Sequence, residues 1–266
     1  MAVRLVTLVL ILMLAGRAEA GAPREYCPER PGLDTPPCIV DAGHVSVETA
    51  LIDWTLERDS DARPDTILVG DTLIRIGVTG SLEAQIGWTP YGHVRMRDRR
   101  TGAVARRARV GDATLGIKAN VLNPDGSGTS VAIAPFLSLP IGRTPVGAGD
   151  WGAGLRLPAS FSLSDRLSFS LTPEIDAAVD GDGKGRHLAY GSAAGFTLKI
   201  SDALSGSAEL AAFRDEDPAG HATQALSGLS IGWQPGKDLQ LDLGATAGLN
   251  SKSPDVEVYA GVSRRF

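Results

Sequence analysis

The sequence predicts an all-β protein, an antiparallel transmembrane β-barrel of about twelve strands of the outer-membrane type. Three observations carry that expectation. The chain ends in an alternating strand, Asp255 to Phe266 (DVEVYAGVSRRF), with Val256, Val258, Ala260 and Val262 on one face and Glu257, Tyr259, Ser263 and Arg265 on the other. Comparable segments recur along the chain, each bounded by turn residues. The connections between them fall into two classes, short turns alternating with longer charged loops, as in bacterial outer-membrane barrels. In lipid the apolar face of such strands points outward and the polar face lines the lumen.

The chain opens with Met1-Ala-Val-Arg4, an apolar run from Leu5 to Ala15, and Arg17-Ala-Glu-Ala20. These are the n-region, h-region and small-x-small cleavage site of a secretory signal peptide, residues 1–20. An uncleaved anchor is the alternative, but the apolar run is too short to cross about 30 Å of hydrocarbon. The expected location is the outer membrane of a Gram-negative bacterium, reached by export. Residues 21–43 follow as a periplasmic N-terminal segment in which Cys27 and Cys38 enclose a Pro-rich loop, CPERPGLDTPPC. In an oxidising periplasm these cysteines form a disulfide. A two-Cys metal site is the competing reading, but the nearest histidine, His44, falls outside the loop.

Net charge is −5, so nucleic acid is not an expected partner. Mean hydropathy is +0.01. That value suits a soluble exported domain or a barrel, because alternation averages a barrel's hydrophobicity away.

The barrel is expected to span 44–266. Its first strand, 44–56, has an ambiguous register: Val45 and Val47 look apolar, as do Ile52, Trp54 and Leu56, and a bulge would reconcile the halves. The second, 66–78, and third, 81–91, meet at Thr79-Gly80, and Leu82, Ala84, Ile86 and Trp88 give the third one clean face. In the fourth, 109–121, Ala113, Leu115, Ile117 and Ala119 oppose Asp112, Thr114, Lys118 and Asn120. A turn at Asn123-Pro-Asp-Gly-Ser-Gly128 leads to the fifth, 129–142, and Ser164-Asp165-Arg166 joins the sixth, 151–163, to the seventh, 167–178. The eighth (186–200), ninth (204–214), tenth (223–233) and eleventh (239–249) follow, and the terminal strand closes the set. Trp54, Trp88, Tyr91, Trp151 and Tyr190 then fall near the outer strand ends, and Phe161, Phe169, Trp233 and Phe266 near the inner ends. Two aromatic belts at headgroup depth are what a membrane barrel calls for.

Alternation assigns Arg75, Glu83, Gln85, Asp112, Lys118, Asn120, Arg156, Glu174, Asp176, Lys199, Glu209, Asp242 and Glu257 to the lumen. Such charges either define a permeation path or pair with one another and fill the interior. The Arg-rich stretch His93–Ala108 is expected as an external loop, free in solvent or in contact with anionic lipopolysaccharide or solutes. Asp180-Gly-Asp-Gly-Lys-Gly185 lacks the later bidentate Glu of a calcium loop and reads as a hairpin turn; no metal or cofactor is expected. His44, His93, His187 and His221 are the available imidazole bases, and none has a G-x-S-x-G context, so no enzyme is expected. Gly261 and Phe266 match the terminal signal read by the barrel-assembly machinery, whereas Arg264 stands where an aromatic is usual.

Several stretches resemble the outer-membrane transporters named for the MetA pathway of phenol degradation. They are Gly70–Gly77 (GDTLIRIG), Gly111-Asp112 with Leu115–Lys118, Pro135-Phe136 with Leu139-Pro140 and Gly142, Leu171–Asp176, Leu239–Asp242, and Ser253-Pro254-Asp255 running to Arg264-Arg265-Phe266. The resemblance implies a barrel that takes up small molecules, aromatic or otherwise hydrophobic, and supplies no functional residues. The alternatives are a non-conducting structural barrel and a barrel-embedded hydrolase. The expected surroundings are outer-membrane lipid, lipopolysaccharide and small-molecule solutes.

Overall fold

In the computed structural model, which describes residues 23–58 and 61–266, the chain winds into one closed antiparallel sheet. The signal peptide expected at 1–20 lies outside the described residues. The strand segments are β1 (Val45–Leu56), β2 (Ala62–Val69), β3 (Asp71–Thr79), β4 (Leu82–Trp88), β5 (Tyr91–Asp98), β6 (Val104–Arg109), β7 (Ala113–Leu122) and β8 (Thr129–Leu139). They continue with β9 (Gly152–Arg156), β10 (Ala159–Ser162), β11 (Leu167–Val179), β12 (Arg186–Lys199), β13 (Leu204–Asp215), β14 (Ala222–Gly236), β15 (Leu239–Gly248) and β16 (Val256–Arg265). Four pairs of consecutive segments, β2/β3, β4/β5, β6/β7 and β9/β10, are each one barrel strand with a break, so the barrel has 12 strands. β16 pairs with β1 from Ser46↔Arg265 to Leu56↔Val256 and closes the ring, leaving no open seam to face hydrocarbon.

The breaks have local causes. Pro90 and Pro158 carry no N–H to donate to the ladder and interrupt β4/β5 and β9/β10. Gly70 adopts φ +75°, and Pro90 lies against it on the neighbouring strand, so the kinks of adjacent strands coincide. Beyond the kinks β2, β5 and β6 leave the barrel wall as a protruding sheet, paired Val69↔Tyr91 to Ala62↔Asp98 and Gly92↔Arg109 to Arg97↔Val104. The Arg-rich stretch is therefore a β-hairpin and not a loop. Its turn is set by Asp98, whose carboxylate accepts the Arg100 and Thr101 N–H groups at 2.9 and 2.7 Å. All six residues of β6 are exposed, and its arginines blunt the free edge.

The wall is inside-out relative to a water-soluble protein. Leu210 and Leu229 are 60% and 68% exposed on its outer face, whereas Arg75, Glu83 and Lys118 are 0% exposed inside. Leaving such leucines in water would cost about 25 cal/mol per Å² of apolar surface, a cost that lipid removes. The ambiguous first strand resolves as its pattern requires: the β1–β16 register shifts between Ala50 and Ile52. Ser46, Glu48, Asp53 and Thr55 can then all face inward while Leu51 and Ile52 both face out. Phe161, Phe169 and Phe196 form a row with ring centroids 6.2 and 5.2 Å apart, near the short-turn end. Trp88, Tyr91, Trp151 and Tyr190 are exposed toward the long-loop end. At the C-terminus the Arg264 guanidinium lies 5.1 Å from the Phe266 ring, so the residue standing in the aromatic's place stacks on the terminal one.

Candidate functional site

Residues 24–41 of the N-terminal segment, expected in the periplasm, thread into the lumen from the short-turn end. The Cys27–Cys38 disulfide is formed, with its Cα atoms 6.4 Å apart. A chain with Pro28, Pro31, Pro36 and Pro37 has few N–H groups and many unpaired carbonyls. Buried, those groups need partners, and side chains of the wall supply them.

Arg75 is the centre of that docking. It donates to Glu83 at 2.8 and 3.0 Å, to Glu48 at 2.9 Å, and to the carbonyls of Cys27 and Cys38 at 2.8 and 3.0 Å. Lys118 reaches the Glu29 carboxylate at 2.7 Å, Glu83 at 3.3 Å and the Pro36 carbonyl at 3.1 Å. Gln85 donates to Glu29 and Glu83, and Asn120 donates to the Pro37 carbonyl at 2.9 Å. In return the segment's own N–H groups meet acids of the wall. Those of Glu29 and Arg30 bond Glu48 at 2.7 and 3.1 Å, that of Val40 bonds Glu83 at 2.7 Å, and those of Leu33 and Asp34 bond Glu209 at 2.9 and 3.0 Å. Arg30 pairs with Asp242 at 2.8 Å, and Arg265 donates to the Arg24 carbonyl at 2.8 Å.

Two wall glycines make room for this. A Cβ on Gly77 would fall 1.9 Å from the Asp41 carbonyl oxygen, and one on Gly261 would fall 2.4 Å from Arg30 Nε. Gly261 is expected as part of the terminal assembly signal; in the folded barrel its bare backbone also seats Arg30.

The other sequence-assigned lumen residues separate from this cluster. Arg156 pairs with Glu174 at 3.0 Å and lies 4.5 Å from the Phe136 ring. Asp176 is on the same strand as Glu174, beside Gly154. Glu257 accepts from Thr246 at 3.1 Å. The two oxygens of Asp112 accept the Gly142 and Ala148 N–H groups at 2.9 and 2.7 Å and anchor the 140–151 loop. Lys199 sits at the short-turn mouth, 3.6 Å from Asp202. Arg265, on the polar face of the terminal strand, also belongs to the docked cluster, as do Glu48, Glu29, Arg30, Thr172 and Gln240, which the reading by alternation did not assign to the lumen. Glu48 was hidden by the open register of β1, and the others had no evident partner.

The segment bonds most densely to β1, β3, β4 and β7, reaches β11, β13 and β15 through fewer contacts, and leaves space on that second side. There a cavity of about 400 Å³ lies between the prolines and the wall of β10–β14. Its wall is rich in hydroxyls: Ser160, Ser162, Ser168, Ser170, Thr197 and Ser207. Thr197 and Ser207 bond each other at 2.9 Å. Pro28, Pro31 and Pro36 form its other side, and Arg166, Lys199 and Asp202 stand at its mouth. The space thus offers hydroxyls on one side and, on the other, proline rings interspersed with the charged Glu25, Glu29, Arg30 and Asp34.

Glu29 ties the docking to pH. Burial acts to raise its carboxyl, but the Lys118 and Arg75 cations outweigh burial and hold it below its ordinary value of 4.5. A carboxyl lowered in this way contributes stability above its unfolded value and loses it as pH falls through the folded one. The segment is therefore expected to stay docked at neutral pH and to loosen progressively below pH 4.5, seen as faster proteolysis of residues 23–43 by an acid-active protease. A cleavage rate that follows only the protease's own pH profile would count against this role for Glu29.

The sequence profile of the family described as "Putative MetA-pathway of phenol degradation" matches residues 29–266. No curated protein matches the chain by sequence. Among solved structures, the barrel is similar to the β domain of the Bordetella autotransporter Brka, at 14% identity and a TM-score of 0.51, covering 85% of this chain and 100% of that one. It is also similar to the translocator domain of the autotransporter NalP from Neisseria meningitidis, at 14% identity and a TM-score of 0.50, over 100% and 97% of the two chains. A third similar structure is the NanC porin, at 9% identity and a TM-score of 0.50, over 83% and 98%. At such identities the likeness is one of fold, and that fold is the closed outer-membrane barrel.

Proposed function

Because this chain belongs to the family named for the MetA pathway of phenol degradation, we propose that it is an outer-membrane channel for passive entry of small molecules, aromatic compounds foremost. The observation that carries this reading is the hydroxyl-lined cavity beside the docked segment. A phenol presents a flat apolar ring and one hydroxyl, and the cavity offers serine and threonine hydroxyls on one side and, on the other, proline rings among charged groups of the segment. In this reading the protein performs no chemistry: the imidazoles of His187 and His221 face the carboxylates of Asp180 and Glu216, at 2.9 and 2.8 Å, and not a hydroxyl nucleophile.

A second reading is a structural barrel that conducts nothing. The paired network of Arg75, Lys118, Glu29, Glu48 and Glu83 favours it, since it fills much of the short-turn half of the lumen. Proteoliposome flux separates the two. The solutes are a phenolic carboxylate, whose charge keeps it from crossing lipid unaided, and a monosaccharide. Flux of the phenolic well above protein-free vesicles, with little for the sugar, is the expected result. Equal passage of both would mean a general pore, and no passage of either would leave the structural barrel.

The protruding β5–β6 hairpin, with Arg95, Arg97, Arg106 and Arg107, is proposed to meet the anionic headgroups of lipopolysaccharide. Recognition of the Phe266 terminus by the barrel-assembly machinery, and export by the N-terminal signal, belong to the same proposal.

A further inference from the structure

At the long-loop end, away from the docked segment, three potential metal ligands converge: His187, Asp215 and Asp217, with one ligand atom from each lying within 4.8 Å of the others. His187 is the second residue of β12 and Asp215 the last of β13, while Asp217 lies in the 216–221 loop that follows. The His187 side chain is 4% exposed, and its ring is fixed from behind by Asp180, whose Oδ1 is 2.9 Å from Nδ1. Its other nitrogen, Nε2, is aimed at the two carboxylates. It stands 2.9 Å from Asp215 Oδ1 but off the hydrogen-bond direction, so among the described residues it has no hydrogen-bond partner.

We propose that His187 Nε2, Asp215 and Asp217 bind a divalent ion of the zinc class, which joins the loop after β13 to the wall at β12. A buried imidazole nitrogen left without a hydrogen bond is a donor atom awaiting an acceptor of lone pairs. A carboxylate behind the ligating imidazole is the usual second-layer support, since it fixes the tautomer and raises ligand basicity. Ligand atoms in a tetrahedral zinc site stand roughly 3.4 Å apart, within the spread seen here. One imidazole and two carboxylates suit zinc and its transition-metal neighbours better than calcium, which takes oxygen ligands alone. Three protein ligands leave the fourth position to water. Asp217 is preset for the role: the Gly181 and Ala219 N–H groups hold its oxygens at 2.6 and 2.7 Å. Because Gly181 belongs to the 180–185 connection, an ion on Asp217 draws both neighbouring loops together.

The test is titration calorimetry of the mature barrel, folded in detergent and stripped with a chelator, against zinc chloride and against calcium chloride. One equivalent of zinc and no calcium heat is the expected result. His187→Ala should abolish the zinc heat, and Asp180→Asn should weaken affinity by about 10–100-fold through loss of the supporting carboxylate. His221→Ala, outside the set, should leave it unchanged. No zinc binding by the unsubstituted barrel, or zinc binding that survives both His187→Ala and Asp217→Asn, would overturn the proposal. A gel mobility shift on heating confirms that each variant is folded, and His187→Gln replaces any alanine variant that is not.

Discussion

Replacing Arg75 with alanine is expected to destabilise the folded protein by about 3–5 kcal/mol, the range for removing one partner from a buried ion pair. Arg75 is 0% exposed, and its guanidinium meets two carboxylates that are themselves fully buried, Glu48 and Glu83. Glu29 stands 3.6 Å away. The substitution would leave these acids facing one another with only Lys118 between them. It would also strip a donor from the Cys27 and Cys38 carbonyls, so the wall and the docked segment would fail together. Urea unfolding in lipid vesicles, followed by tryptophan fluorescence, reads the loss. Arg75→Met combined with Glu48→Gln and Glu83→Gln should recover much of it, because the cost lies in charges left without partners and not in the missing volume. If Arg75→Ala stayed within about 0.5 kcal/mol of the parent, the range of an ordinary surface change, the lumen would be wet at this depth and the docked arrangement would be wrong.

The strands were legible because lipid outside and polar contacts inside impose a period of two on every crossing. The barrel strands follow that pattern outside the protruding sheet, and the bulge in β1 is where the pattern itself breaks phase. Three features were not legible. The protruding sheet of β2, β5 and β6 leaves the membrane, so its residues lose the lipid constraint, and arginines on both faces of the hairpin mask the alternation. The role of Asp112 depends on where the 140–151 loop folds, which no spacing records. The docked segment is the largest omission. Pro-rich and without periodicity, it binds in large part through backbone groups, and backbone groups leave no trace in side-chain identity. One signal was nonetheless present. The residues that alternation assigns inward near the short-turn ends of the strands include Glu83, Glu209 and Asp242 against Arg75 and Lys118. That acidic surplus needs N–H donors from elsewhere, and residues 29–40 provide them.

The second large effect is on conduction. If residues 24–41 occupy the lumen and leave only the hydroxyl-lined cavity beside them, a chain lacking them should carry a much larger current. The wall would survive the deletion, because closure depends on β1 and β16, which pair without help from the segment. The acids it exposes would be solvated by water entering the lumen, and their surplus should turn the wider pore toward cations. The measurement is single-channel conductance in planar bilayers, comparing the mature chain with one that begins at His44, each first shown to be folded by its heat-dependent gel mobility. The expected result is a several-fold higher conductance and increased cation selectivity in the shortened chain. Equal conductance and equal selectivity in the two would contradict the account, since they would place the N-terminal segment outside the path that ions take.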